Sequence, residues 1–256
     1  MSKLAKEDKF LDLSDYGRSL GSILANSLKN TRFTPIHVTF LFGICGLLAA
    51  FSIFKEYYIL AGIFLILKSI IDAADGELAR LKKTPSYSGR YLDSLFDIIL
   101  NSIFFLVICY KTDSNYLLAL IAFFCCQLQG TLYNFYYVIL RNKSIGGDTT
   151  SQIFENKIPK ALPGEKQNTV KILFICYLIF YGIFDKIIQF MDKKAHLVLK
   201  LPNWFMTFLS IYGLGFQLLL IAFLLVFNLI DLIIPFFIFY SIFLIILIGI
   251  RKFLLK

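Results

Sequence analysis

Charged residues are scarce in this chain of 256 residues: Asp, Glu, Lys and Arg make up 17% of it, hydrophobic residues make up 58%, and phenylalanine alone occurs 28 times. So little polar surface cannot coat a water-soluble domain, and a mean hydropathy of +0.72 assigns the chain to the membrane. A disulfide framework is also absent. The five cysteines, Cys45, Cys109, Cys125, Cys126 and Cys176, all fall inside hydrophobic runs, where they act as small apolar residues and offer no zinc site. Residues 1–34 hold no apolar run long enough for a signal peptide, because Asp12, Asp15 and Arg18 interrupt the one candidate. No internal repeat is visible.

What the chain does have is a series of long apolar windows. About 20 such residues cross a hydrocarbon core of roughly 30 Å, and windows of that kind fall at 36–54, 58–80, 91–110, 116–140, 171–190, 205–229 and 232–250. They predict an all-α fold: a polytopic transmembrane helical bundle of six core helices, with a seventh crossing as the alternative. Ahead of them, Phe10 to Leu28 places Leu11, Leu13, Tyr16, Leu20, Ile23, Leu24 and Leu28 on one broad face, which predicts an amphipathic helix lying in the membrane interface.

The net charge of +9 is explained by topology. Lys3, Lys6, Lys9, Arg18, Lys29 and Arg32 precede the first span, Arg80, Lys82, Lys83 and Arg90 separate the second and third, and Arg141, Lys143, Lys157, Lys160, Lys166 and Lys171 follow the fourth. The intervening loops are poorer in cations, so the amino terminus and residues 72–97 are expected at the cytoplasmic face of an inner (cytoplasmic) membrane. No basic stripe with interleaved aromatics lies outside the loops, which argues against a nucleic-acid partner. Seven crossings would leave Arg251, Lys252 and Lys256 outside, and six would return them to the cytoplasm. The segment expected not to cross fully is 171–190, interrupted by Asp185 and Lys186 and followed at once by Asp192, Lys193 and Lys194.

The chemistry concentrates between Asp72 and Asp97. Each helical residue turns about 100°, so Asp72, Asp75, Gly76 and Ala79 share one stripe of the second span, while Asp93 and Asp97 sit one turn apart on the third. A short connection makes these helices antiparallel neighbours, and the four acids are expected to converge at their cytoplasmic ends. Four facing carboxylates repel in a low dielectric, and Arg80 offsets at most one of them. Two divalent cations with hard oxygen ligands, Mg²⁺ or Mn²⁺, would nearly neutralise the set. Gly76, Ala79 and Gly89 leave room for a flat ligand beside the backbone, and Arg80 is placed for a phosphate. Metals, a guanidinium and a shallow slot together describe a diphosphate substrate. A cation- or proton-coupled transporter also uses intramembrane acids, but it has no need of this fixed spacing.

Asp72, Asp75, Gly76, Ala79, Arg80, Gly89, Asp93 and Asp97 fill every fixed position of the pattern D-x2-D-G-x2-A-R-x8-G-x3-D-x3-D. The segment therefore resembles the signature of the CDP-alcohol phosphotransferase (CDP-alcohol phosphatidyltransferase) family, class I, whose domain would reach from about Leu28 to Arg141. The resemblance implies a homodimeric membrane enzyme of phospholipid biosynthesis, packed through its third and fourth spans, that moves a phosphatidyl or phospho-alcohol group from a CDP-linked donor to an acceptor hydroxyl and releases CMP. It further implies Asp72, Asp75, Asp93 and Asp97 as metal ligands, Asp97 also as general base, and Gly76, Ala79, Arg80, Ser86 and Gly89 as the lining of the CDP site. Thr34-Pro35-Ile36-His37-Val38-Thr39 resembles the segment that opens the first helix of such enzymes, although Ile36 stands where that pattern has asparagine. The donor implied is CDP-diacylglycerol with a small polar acceptor such as glycerol phosphate, inositol phosphate or serine. The alternative is CDP-choline or CDP-ethanolamine with diacylglycerol.

Other polar residues carry two readings each. Lys68, one turn before Asp72, is expected to pair with that acid or to snorkel. Gln127, Gln129 and Asn134, with Tyr133, Tyr136 and Tyr137, are candidates for an acceptor cavity or for interhelical hydrogen bonds. His37 reads as a capping or interfacial residue. Four segments result: an interfacial segment 1–34, a catalytic core 35–141, a cytoplasmic loop 142–170 that is a candidate lid, and carboxyl-terminal helices 171–256. Gly146-Gly147-Asp148-Thr149-Thr150 in that loop lacks the lysine of a phosphate loop.

Overall fold

Thr34 shows how these apolar runs become helices. Its hydroxyl accepts from the His37 backbone N–H, the His37 ring accepts from the Thr34 N–H at 3.0 Å, and Pro35 occupies the first helical position, so a capping box starts helix α2. His37 is thus a capping residue. The computed structural model describes residues 4, 8–143, 151–198 and 201–254, and their regular structure is helical throughout. The α-helices are α1 (Arg18–Leu28), α2 (Pro35–Phe54), α3 (Tyr58–Leu81), α4 (Tyr87–Lys111), α5 (Tyr116–Lys143), α6 (Gln167–Met191), α7 (Asn203–Leu209), α8 (Leu214–Val226), α9 (Ile233–Tyr240) and α10 (Ile242–Leu254). Helices α2, α4, α5 and α6 and the run Ile230–Phe253 are each long and apolar enough to cross a membrane. Helix α3 is as long, but Lys68 sits near its middle and Asp72, Asp75, Glu77 and Arg80 crowd its second half.

Short connections set the antiparallel order. Glu56 between α2 and α3 and Asp113 between α4 and α5 adopt left-handed backbone angles (φ 63° and 46°), which turn the chain back within a few residues. Because α4 and α5 are antiparallel neighbours, the start of α4 and the end of α5 lie on one side of the bundle, and the end of α3 joins them there.

Both ends of helix α6 are tied to neighbouring helices. Two residues before it, Glu165 bonds to the start of α4. The residue after it, Asp192, accepts from Tyr136, about 10 Å before the end of α5 at 1.5 Å per residue. Lys143 at the end of α5 donates to the Val198 carbonyl. The expectation that 171–190 does not cross fully rests on the placement of cations alone, for α6 is continuous through Asp185 and Lys186 and is long and apolar enough to cross.

The break in the chain's hydrophobic pattern falls elsewhere, at Gly213, where the run Asn203–Tyr212 meets α8 at 50°. Helix α8 is antiparallel to α3: a side chain at Gly62 would meet Ala222 and Val226, and one at Gly215 would meet Ser69. The run Ile230–Phe253 then brings Arg251 back to a buried ion pair with Asp192. By length and apolar composition the candidate spans among the described residues are α2, α4, α5, α6 and the run Ile230–Phe253, with the bent α7–α8 unit as a sixth.

The amino-terminal segment departs from expectation. Its α-helix starts at Arg18, not Phe10, and it packs through a stripe of small residues with Leu24 and Leu28 partly buried beside them. A Cβ at Gly21 would stand 3.0 Å from the Ala74 N and the Ile70 O of α3, and Ala25 is buried in the core, so α1 lies flush on the α3 backbone while Leu20 and Ile23 point outward. Residues 12–16 form a turn lodged between α5 and α8. Tyr133 donates to Asp12 at 2.5 Å, the Leu13 N–H donates to Ser210 at 2.9 Å, and Ser14 fills the space that side chains at Gly213 and Gly215 would need.

Candidate active site

A cavity of about 1080 Å³ opens where α3, α4, α5 and the amino-terminal turn meet. Every site residue expected from the sequence lines it: Asp72, Asp75, Gly76, Ala79 and Arg80 from α3, Ser86 before α4, and Gly89, Asp93 and Asp97 from α4. The last turns of one helix and the first turns of its neighbour thus face one chamber.

The four carboxylates act on one another's charge, but each has a different surrounding. Asp75 accepts from the Thr39 hydroxyl of α2. Asp97 accepts from Lys68 at 2.5 Å. The Oδ1 of Asp93 is buried with no hydrogen-bond partner among the described residues, a costly state for an acceptor. Among the described residues, no three carboxylate, histidine or cysteine side chains already stand close enough to clasp one ion.

Small residues open the floor of the cavity. A Cβ at Gly76 would meet only the Arg80 guanidinium, at 3.5 Å, so the glycine leaves free space and not a packing contact. Arg80 itself is held by Glu77, one turn back, at 2.7 Å. Ser86 caps α4, its hydroxyl accepting from the Gly89 N–H at 2.8 Å. That hydroxyl also donates to Glu165 at 2.8 Å, and the same carboxylate accepts from the Ser88 N–H at 2.6 Å. Burial pushes the Glu165 carboxyl up, but hydrogen bonds from the Ser88 and Leu162 N–H groups and from the Ser86 hydroxyl outweigh it and hold the group below its ordinary range.

The described part of the 142–170 loop is fastened over this mouth. Glu155 pairs with Arg90 at 2.7 Å and accepts from Tyr91 at 3.2 Å, and Ser151, Pro163, Gly164, Glu165 and Lys166 join the cavity lining. The Gly-Gly-Asp-Thr-Thr stretch lies outside the described residues.

The polar residues of α5 divide between their two readings. Gln127, Tyr133, Asn134 and Tyr137 line the cavity. Gln129 instead donates to the Phe237 carbonyl and to Ser241, accepts from Gln217, and joins α5 to α8 and α9. Tyr136 donates to Asp192. Lys68 pairs with Asp97 on the neighbouring helix, not with Asp72 on its own.

Several lining residues escaped the sequence reading. Asp185 was read as an interruption of a span, and it faces the cavity together with Asn101 and Tyr181. The rule that intramembrane acids mark functional sites would have found it. Asp12, Asp15 and Arg18 also line the chamber, a placement that depends on the glycines of a distant helix break and leaves no local signal.

These features define a class: an integral membrane protein of bundled helices with a carboxylate-lined chamber at one face. The chain belongs to the CDP-alcohol phosphatidyltransferase family, whose sequence profile matches residues 32–209, more than half of its length. Over 94 residues it is 39% identical to the bifunctional IPC transferase and DIPP synthase of Thermococcus kodakarensis, a match that covers 36% of this chain and 22% of that protein. Over 74 residues it is 35% identical to the archaetidylinositol phosphate synthase of Pyrococcus horikoshii, covering 29% of this chain and 39% of that one. The chain thus spans well under half the length of either relative.

Proposed function

We propose that this chain is a divalent-metal-dependent transferase that moves a phosphatidyl or phospho-alcohol group from a CDP-linked donor to an acceptor hydroxyl, with release of CMP. The observation that carries this reading is the meeting of all four signature carboxylates with Gly76, Ala79, Arg80, Ser86 and Gly89 around one cavity. The donor set fits Mg²⁺ or Mn²⁺: hard oxygens from two facing helices, with the unpartnered Asp93 Oδ1 among them. Asp72, Asp75, Asp93 and Asp97 would hold the ions, which when bound supply positive charge against the donor diphosphate.

The protein's own groups do the rest. Gly76, Ala79 and Gly89 admit the nucleotide against the backbone, and Arg80 offers a guanidinium to a phosphate. Asp97 takes the proton from the acceptor hydroxyl as its oxygen bonds to phosphorus and the bond from phosphorus to the CMP oxygen breaks. CDP-diacylglycerol with a small polar acceptor is the favoured pair; the name of the Pyrococcus relative, archaetidylinositol phosphate synthase, supports the small polar acceptor but not the diacylglycerol donor. The cations that flank the chamber support a cytoplasmic face for it.

Purified protein supplied with Mg²⁺ or Mn²⁺, labelled CDP-diacylglycerol or CDP-choline and a panel of acceptors is expected to release CMP with one pair. Release with none of them would point to a transporter.

A further inference from the structure

Lys68 is the most deeply buried cation near the site, with none of its side chain exposed. A lysine in a membrane helix ordinarily extends its ammonium toward the interface, but this one turns inward. Its Nζ lies 2.5 Å from Asp97 Oδ1 across the α3–α4 boundary and 4.9 Å above the Phe42 ring of α2. The Asp97 side chain keeps 14% exposure, it faces the cavity, and its Oδ2 has no hydrogen bond among the described residues. One oxygen of this carboxylate is thus tied from behind while the other is presented to the chamber.

On the transferase reading above, we propose that Lys68 is a positioning residue: it holds Asp97 by Oδ1 so that Oδ2 meets the acceptor hydroxyl, and its fixed charge shares Asp97 with the divalent cation. A freely rotating carboxylate would offer either oxygen at a range of angles, and small errors of placement are costly in a transfer reaction. The ammonium charge also opposes cation binding at the same carboxylate.

A double-mutant cycle with two readouts tests this. The wild type and Asp97→Asn are compared first for CMP release. Silence of the wild type, or full turnover by Asp97→Asn, would count against the reaction or the base and not against Lys68. Lys68→Met is expected to lower kcat about 10- to 100-fold with KM for the donor within about twofold, and to add no loss in the Asp97→Asn background. In the absence of substrate, Mn²⁺ titration followed by electron paramagnetic resonance is expected to show several-fold tighter binding by Lys68→Met. Lys68→Arg, which keeps the charge but moves the nitrogen, is expected to lose kcat with Mn²⁺ affinity unchanged, and it serves alone if the methionine variant does not fold. A kcat within twofold of wild type in either variant, equal losses in both backgrounds, or unaltered Mn²⁺ affinity in Lys68→Met would overturn the proposal and leave Lys68 as a staple between helices.

Discussion

Asp97 and Gly76 separate chemistry from binding at the scale of single residues. Asp97→Asn keeps the shape of the side chain but removes its basicity, so CDP binding by calorimetry should persist while turnover falls by about 10²- to 10⁴-fold, the usual worth of a placed base. Gly76→Val should do the reverse. Its side chain projects into space bounded only by the flexible end of Arg80, so melting temperature should hold while KM for the donor rises at least about tenfold. A fall in melting temperature with unchanged KM would mean that the glycine serves packing. The carboxylates and glycines were legible because their spacing follows the helical repeat within one stretch of 26 residues. Lys68 was half legible: a lysine inside an apolar span needs a partner, but the choice between Asp72 at one turn and Asp97 on the next helix depends on how α3 and α4 face each other.

At the scale of elements, the start of α4 carries two duties through one cap. Ser86 closes the helix and donates to Glu165, so the loop before α6 and the helix that presents Asp93 and Asp97 are fastened at one point. The Glu165 carboxyl is held below its ordinary value of 4.5. A depressed folded-state pKa means that the anion is favoured by folding, so its stabilising contribution is fully present above 4.5 and fades as pH falls through the lower, folded value. Melting of wild type against Glu165→Gln in detergent should show a gap at neutral pH that closes on acidification, and a gap that widens in acid would contradict this. Helix positions were readable from apolar windows, since bilayer thickness dictates their length. The break at Gly213 and the turn at 12–16 were not, because each depends on the other: two glycines make the space that Ser14 fills.

For the whole molecule, the described amino-terminal turn and the end of α10 belong to one side. Arg251 is paired with Asp192 beside Tyr136, near the end of α5, and the amino-terminal turn lines the chamber at the end of α3. An even number of crossings would satisfy both this geometry and the placement of cations. Cysteines placed singly near residues 30 and 252 should therefore react with an impermeant maleimide from the same face of sealed vesicles, and labelling from opposite faces would mean an odd number. The claim on which the functional reading rests is that the acids of α3 and α4 hold divalent cations for a cytidine nucleotide. Counting bound Mn²⁺ by electron paramagnetic resonance, with CDP present, tests it most directly. About two ions per chain in the wild type, and fewer in Asp93→Asn, is the predicted result. No bound ion, or a count that Asp93→Asn leaves unchanged, would contradict it.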